Sequence, residues 1–297
     1  MTGTYDSTQP AHSAFTANSE LYEAAMNRSK RVVLDSGAFY ASKTFDFIGQ
    51  RVLFGWLPEE RPTSSDGAPW GWAGVQSLPR DVIPYQEHDS WYIRTPPLQS
   101  VVQTLRNSSK ELYPAFSLGV SAKARQAGTL SQVRPLNNSV GAQMELIANV
   151  TIPSNTTRMA GVKCGLRVRS SPFDLTPTTG GEFTDVGIVF TQEGNVQMYV
   201  DPRFSCSNNA TQVNRTAVLS AAIDVVGSSI QRCDGAADCD SNNTEANTLQ
   251  LRVLLDHSVL EAFLAEGRQV ITRRIYPADP SKAVHTAAFV DCATATN

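Results

Sequence analysis

No apolar run in this 297-residue sequence approaches the roughly 18 residues that a membrane-spanning helix needs. Charge of one sign is also scarce: 25 Lys and Arg against 28 Asp and Glu leave a net charge of −3. General attraction to nucleic acid or to an anionic membrane is therefore not expected. A nucleotide fingerprint, a P-loop, a G-x-S-x-G and an H-E-x-x-H are all missing, so no cofactor is expected. The opening stretch MTGTYDSTQPAHSAF has neither a basic n-region nor an apolar h-region, and no signal peptide is expected there. What is present is the composition of a globular protein, 41% hydrophobic and 18% charged. The chain is long enough to bury a sizeable core without staples.

Cysteines number five, and Cys233 and Cys239 flank the polar loop DGAAD, which a disulfide could close. A metal site would want four soft ligands at tight spacing, and the nearest His is far away in sequence, so none is expected. The odd cysteine is free or pairs outside the chain. Of 15 Asn, 8 head an N-x-Ser/Thr sequon: Asn27, Asn107, Asn137, Asn149, Asn155, Asn209, Asn214 and Asn242. Ser and Thr make up a little under a fifth of the residues, so chance predicts about three. The excess points to a glycoprotein of the secretory route with sequons on exposed loops.

The local patterns are mostly those of strands. RVVLDSGAFYASKTF and QRVLFGWLPEE, separated by DFIG, read as a hairpin, and PWGWAGVQSLPRDVI adds a third strand. In RTPPLQSVVQTLRNSS two prolines break the chain, and Leu98, Val101, Val102 and Leu105 recur at helical spacing, which predicts one short connecting helix. Beyond about residue 115 the pattern is strand, turn, strand: two strands about Glu193–Gly194–Asn195, then three with turns at Asp256–His257–Ser258 and Glu266–Gly267. Many short strands at this spacing predict an all-β protein with a β-sandwich.

Asp256, His257, Ser258 and Glu261 look like a catalytic cluster. Adjacent residues in a strand or tight turn point apart, whereas a Ser-His-Asp triad is assembled from distant parts of a sequence. Asp and Ser favour turns because they bond nearby backbone groups. The cluster is expected to be structural.

The same stretch, LRVLLDHSVLEAFLAEGRQVITRRIYPA, resembles the closing signature of glycoside hydrolase family 32, the invertases and fructan hydrolases. The match runs through Asp256, His257, Ser258, Glu261, Gly267, Arg268, Ile271, Thr272, Arg274, Tyr276 and Pro277. DSGAFYASKTF, and VLFGWLPEE followed by GWAGVQSLPR, resemble two further family segments in the same order. The style is most similar to the plant-type acid invertases. The resemblance implies the last blade of a five-bladed β-propeller followed by a C-terminal β-sandwich. It divides the chain into a propeller remnant at 1–95, a linker with a short helix at 96–115 and a sandwich at 116–297. It also implies a retaining reaction on sucrose or fructans, with one carboxylate as nucleophile and another as acid/base.

The family's N-D-P-N-G, R-D-P and E-C motifs, which hold its catalytic carboxylates, have no counterpart here. The chain therefore reads as the C-terminal portion of a β-fructofuranosidase, without catalytic residues and inactive alone. It would act on substrate only when joined, covalently or as a separate chain, to an N-terminal propeller portion. The resemblance implies sugar contacts at Asp35, Tyr40, Trp56 and Glu59, although blade packing explains a tryptophan, and a turn explains Asp35, equally well. It implies a secreted protein of the cell wall or vacuole. The alternative is a non-catalytic secreted module that binds sugar or another partner.

Overall fold

The computed structural model describes residues 3–9, 15–17, 33–60, 71–87, 90–106, 112–119, 130–152, 156–171, 181–205, 218–223 and 248–291. Within them the protein is all-β, with one short α-helix. A small hairpin, β1 (Gly3–Tyr5) with β2 (Phe15–Ala17), opens the chain. A second sheet joins β3 (Tyr40–Phe47) to β4 (Gln50–Leu57) through a turn at Ile48 and Gly49. The third strand predicted here is realised as two short ones, β5 (Val75–Gln76) and β6 (Arg80–Asp81), which pair side by side with β4. Next comes a hairpin that the sequence pattern did not single out, β7 (Ile83–Glu87) with β8 (Ser90–Arg94).

The predicted helix is α1 (Gln99–Leu105). Leu98 and Val102 are buried, but Leu105 is 67% exposed because the chain turns extended at Arg106. The bonds from Leu98 N to the Pro79 carbonyl and from Asp81 N to the Pro96 carbonyl tie the start of the helix to β6.

Beyond the helix lie two larger antiparallel sheets. One has six strands: β9 (Leu130–Val140), β11 (Lys163–Ser170), β12 (Thr184–Phe190), β13 (Val196–Asp201), β14 (Val218–Ile223) and β18 (His285–Asp291), in the order β14-β13-β12-β11-β18-β9. The other has four: β10 (Gln143–Thr151), β15 (Thr248–Asp256), β16 (Val259–Leu264) and β17 (Gln269–Arg274), in chain order. Alternation explains their packing. Leu249, Leu251, Val253 and Leu255 of β15, with Leu260, Ala262 and Leu264 of β16, face Val186, Ile188, Val196, Met198 and Val200 in one apolar core. Each fully buried aliphatic side chain contributes roughly 1.5–3 kcal/mol.

β15 to β17 are buried on their second face as well. Leu254, Phe263 and Val270 form a smaller cluster there, with Leu78 from the front of the chain packed on it. That second interface positions the candidate site. Cys164 is free and partly buried against the core, and the other cysteines, including the Cys233 and Cys239 pair, lie outside the described residues. So do Asn27, Asn107, Asn155, Asn209, Asn214 and Asn242. The two sequons within view, Asn137 and Asn149, stand in strands rather than loops. Both are exposed, because outward-facing positions of an edge strand reach solvent as a loop does.

Candidate functional site

β17 is the last strand of its sheet, and an unpaired strand edge has to be covered or paired. Residues 35–38 run along it. Ser36 N donates to the Val270 carbonyl at 2.9 Å, and Ala38 N donates to the Thr272 carbonyl at 2.7 Å. Glycine stands between them for a steric reason: a Cβ on Gly37 would lie 1.9 Å from the Thr272 carbonyl oxygen.

At this seam Asp35 is held from four sides. One oxygen accepts from Gly37 N at 2.8 Å and Thr272 N at 3.0 Å. The other accepts from the Thr272 hydroxyl at 2.6 Å and Arg80 at 2.8 Å. Arg80 also donates to Glu261 Oε2 at 2.7 Å and to Thr272 Oγ1 at 2.7 Å. The remaining Glu261 oxygen accepts from Leu78 N at 2.7 Å. The guanidinium lies 4.3 Å from the Phe39 ring centroid and 5.2 Å from that of Phe263. The charged side chains are almost dry, at 0% exposure for Arg80, 1% for Asp35 and 2% for Glu261.

Two carboxylates thus share one guanidinium. Burial pushes the Glu261 carboxyl above its ordinary range, and the negative charge of Asp35 adds to this against the pull of Arg80. Burial also works against the Arg80 charge, but attraction to Glu261 and Asp35 outweighs it and holds Arg80 above its ordinary value.

A second polar set lies along the same seam. Arg274 donates to Ser258 Oγ at 2.9 Å and to Glu59 at 3.4 Å, and its guanidinium lies 5.5 Å from the Trp72 ring centroid. Arg273 pairs with Glu60 at 3.3 Å, and Glu60 N donates to the Tyr276 hydroxyl at 3.2 Å. Burial, followed by the bond to Glu59, raises the Tyr276 hydroxyl well above its ordinary value, and burial raises Glu60. Pro277 is buried beside them, and Arg268 lies over the Tyr85 ring at 4.9 Å.

Asp256 and His257 stand apart from all this at an exposed two-residue turn. His257 takes φ +51°, a left-handed conformation that His tolerates better than most residues. Its Nδ1 lies 2.9 Å from Asp256 Oδ1, while Ser258 Oγ is held by Arg274. The three do not form a relay. Of the residues proposed to touch sugar, Asp35 and Glu59 are buried in ion pairs, whereas Tyr40 is 65% and Trp56 44% exposed, with ring centroids 6.1 Å apart. A polar cavity of about 480 Å³ opens nearby between Arg94, Pro97 and Arg252, and Arg94 binds one of its acids, Glu266.

The segments joined at this seam recur together elsewhere. A model described as Glycosyl hydrolases family 32 C terminal matches residues 102–296, and one described as Glycosyl hydrolases family 32 N-terminal domain matches residues 1–95. The chain belongs to glycoside hydrolase family 32. This family-32 chain is 28% identical to an acid beta-fructofuranosidase of Capsicum annuum, over 96% of its own length and 41% of that protein's. It is 30% identical to a fructan 6-exohydrolase of Beta vulgaris, over 82% of its own length and 38% of the other. It therefore spans about two fifths of these relatives. The crystal structure of fructan 1-exohydrolase IIa from Cichorium intybus shares its fold, with a TM-score of 0.62 at 21% identity, over 98% of this chain and 52% of that one.

Sequence reasoning named both acids of this clamp, and the cation between them only as the last residue of a matched segment, with no role. Arg80 closes the GWAGVQSLPR segment and is followed at once by Asp81, so the local sequence carries no sign of the distant acids it pairs with. Glu60 and Arg273 were passed over for the same reason, since each stands beside a more recognisable neighbour.

Proposed function

We propose that the chain is the C-terminal portion of a β-fructofuranosidase that hydrolyses sucrose or fructans with retention, its nucleophile and acid/base being supplied by an N-terminal propeller portion. The observation that carries this is the state of the conspicuous acids. Asp35, Glu59 and Glu261 are spent in buried bonds to Arg80 and Arg274, so none of them is free to attack or protonate a glycosidic bond. We read residues 1–95 as the last propeller blade, 96–115 as the linker and 116–297 as a β-sandwich. The exposure of all eight residues of β3 supports a blade that awaits a neighbour. The sequons support a route to the cell wall or vacuole.

The purified chain should release no reducing sugar from sucrose or inulin above a mock preparation at mildly acidic pH. A reading frame upstream of it should encode an N-D-P-N-G motif. Turnover by the chain alone would overturn the proposal. A second reading, a non-catalytic sugar-binding module, is favoured by the exposed Tyr40 and Trp56 pair, since aromatic faces stack on sugars. Saturable fructan binding that Trp56→Ala abolishes would support it.

A further inference from the structure

The two larger sheets close differently at their two sides. On one side β17 lies against β13 and β14 and is paired along its edge by residues 35–38. On the other side β9 ends the six-stranded sheet and β10 ends the four-stranded sheet, and no further strand pairs with either among the described residues; β9 is partly covered, since Asn138 N donates to the Tyr113 hydroxyl at 3.1 Å and Gly119 N to Gln132 Oε1 at 2.8 Å, whereas β10 beyond Glu145 has no such cover among them. The two are consecutive in the chain, separated by Gly141 and Ala142, so both free edges fall on one flank.

β10 is the more hazardous of the two. Its end and the residue after it read LIANVTI, residues 146–152, with no charge, no proline and no glycine. An uncharged window of this β-propensity on a free edge is a template for pairing with another chain. The usual protections, an edge lysine or a proline, are absent from it. Ile147 is 50% exposed on the outward face, and Val140 at the end of β9 is 52% exposed. Each of these two strands carries a sequon within three residues of that aliphatic: Asn149 with Thr151 on β10, and Asn137 with Ser139 on β9. Both Asn are exposed. Asn137 sits where the pairing of β9 with β18 shifts register between Pro135 and Val140. At Asn149 the amide oxygen accepts from Gln250 Nε2 at 3.3 Å, which leaves the amide nitrogen to carry a substituent.

We propose that Asn149 and Asn137 carry N-linked oligosaccharides that shield the free flank of β9 and β10 from edge-to-edge association. In forming each link, the side-chain amide nitrogen bonds to the anomeric carbon of an oligosaccharide donor linked to a lipid diphosphate. The anomeric C–O bond breaks, the lipid diphosphate leaves with the electron pair, and the amide gives up one proton. A bulky hydrated substituent at Asn149 then stands beside Ile147 on the same outward face, and its bulk overhangs the edge along which an incoming strand would pair.

The inference rests on the secretory-route reading, so the test imposes that route. The full chain is expressed behind a supplied leader in a eukaryotic host. Its glycans are then removed enzymatically in heavy-oxygen water, and the labelled Asp positions are mapped by mass spectrometry. Label at Asn149 and Asn137 is the expected result, and an unlabelled Asn149 overturns the site. Because the leader is supplied, that failure is distinct from an endogenous protein bare of sugar, which would speak against the route.

Thr151→Val removes the sequon but keeps Asn149, and Asn149→Gln removes it a second way in case the first variant folds poorly. Either should lower the monomer fraction seen by light scattering about two-fold or more at equal concentration. Adding Ile147→Lys, a charge on the same edge, should restore it. Unglycosylated variants that stay as monomeric as the parent overturn the shielding role. So does association that the lysine leaves unchanged.

Discussion

Replacing Arg80 by methionine should separate the front of the chain from the four-stranded sheet. Methionine keeps most of the apolar stem and removes the charged fork together with its contacts over the Phe39 and Phe263 rings. Asp35 would lose one of four bonds and keep Gly37 N, Thr272 N and the Thr272 hydroxyl. Glu261 would keep only Leu78 N, in a site where it is 2% exposed. A charge-assisted hydrogen bond contributes about 1.5–3 kcal/mol, and removing one partner of a buried ion pair costs about 3–5 kcal/mol. The expected loss at neutral pH is therefore about 3–5 kcal/mol, read by urea unfolding, with early hydrogen exchange at the amides of Ser36 and Ala38.

Acid should relieve this loss. Burial already raises Glu261 in the intact protein, and Arg80 pulls it the other way, so removing Arg80 raises it further. A carboxyl raised on folding favours the folded state below its unfolded value of about 4.3, and that advantage is lost as pH rises through the folded value. The loss should therefore shrink between about pH 7.5 and pH 5. Arg80→Met combined with Glu261→Gln should recover at least half of it. A loss below about 1 kcal/mol at neutral pH, or one equal at both pH values, would refute the reasoning.

Gly37→Ala should strip residues 35–38 from β17, since its Cβ cannot coexist with the Thr272 carbonyl 1.9 Å away. The two lost backbone bonds alone contribute about 2 kcal/mol, and unprotected amides at 36 and 38 in hydrogen exchange would report it. In the unaltered chain, burial raises Glu60, Asp185 and Glu261, so the melting temperature should rise as pH falls from neutral toward the ordinary carboxylate range. A melting temperature that falls steadily over that range would contradict this sign. Burial pushes the Cys164 thiol up to about 12, so Cys164 should resist alkylation in the folded chain and react in urea, as read by peptide mapping.

Much of the local structure could be read in advance because its causes are local. Alternating apolar residues define β15 and β16, and Asp256, His257 and Ser258 mark the turn between them. Pro96, Pro97 and the spacing of Leu98 and Val102 define α1. β18 was not legible, because HTAAFVD is short and weakly alternating and is fixed by pairing with β11 and β9 on either side. The hairpin of β7 and β8 was not legible either, since Pro84 interrupts the pattern. Asp35 and Glu59 were candidates for sugar contact because a carboxylate in a recognisable segment suggests chemistry. Their burial depends on arginines 45 and 215 positions away, which no local pattern reveals.

The sequence by itself determined the all-β class, the turn at His257 and the family, because each depends on residues close together in the chain or on the order of short segments. Only the tertiary structure decided that those segments meet. Asp35, Arg80, Glu261 and Thr272 become one buried cluster because β17 needs its edge covered and the outward face of β16 needs an apolar partner. A charge removed from water is tolerable only when its partners arrive with it, and which partners arrive is settled by the packing of the sheets.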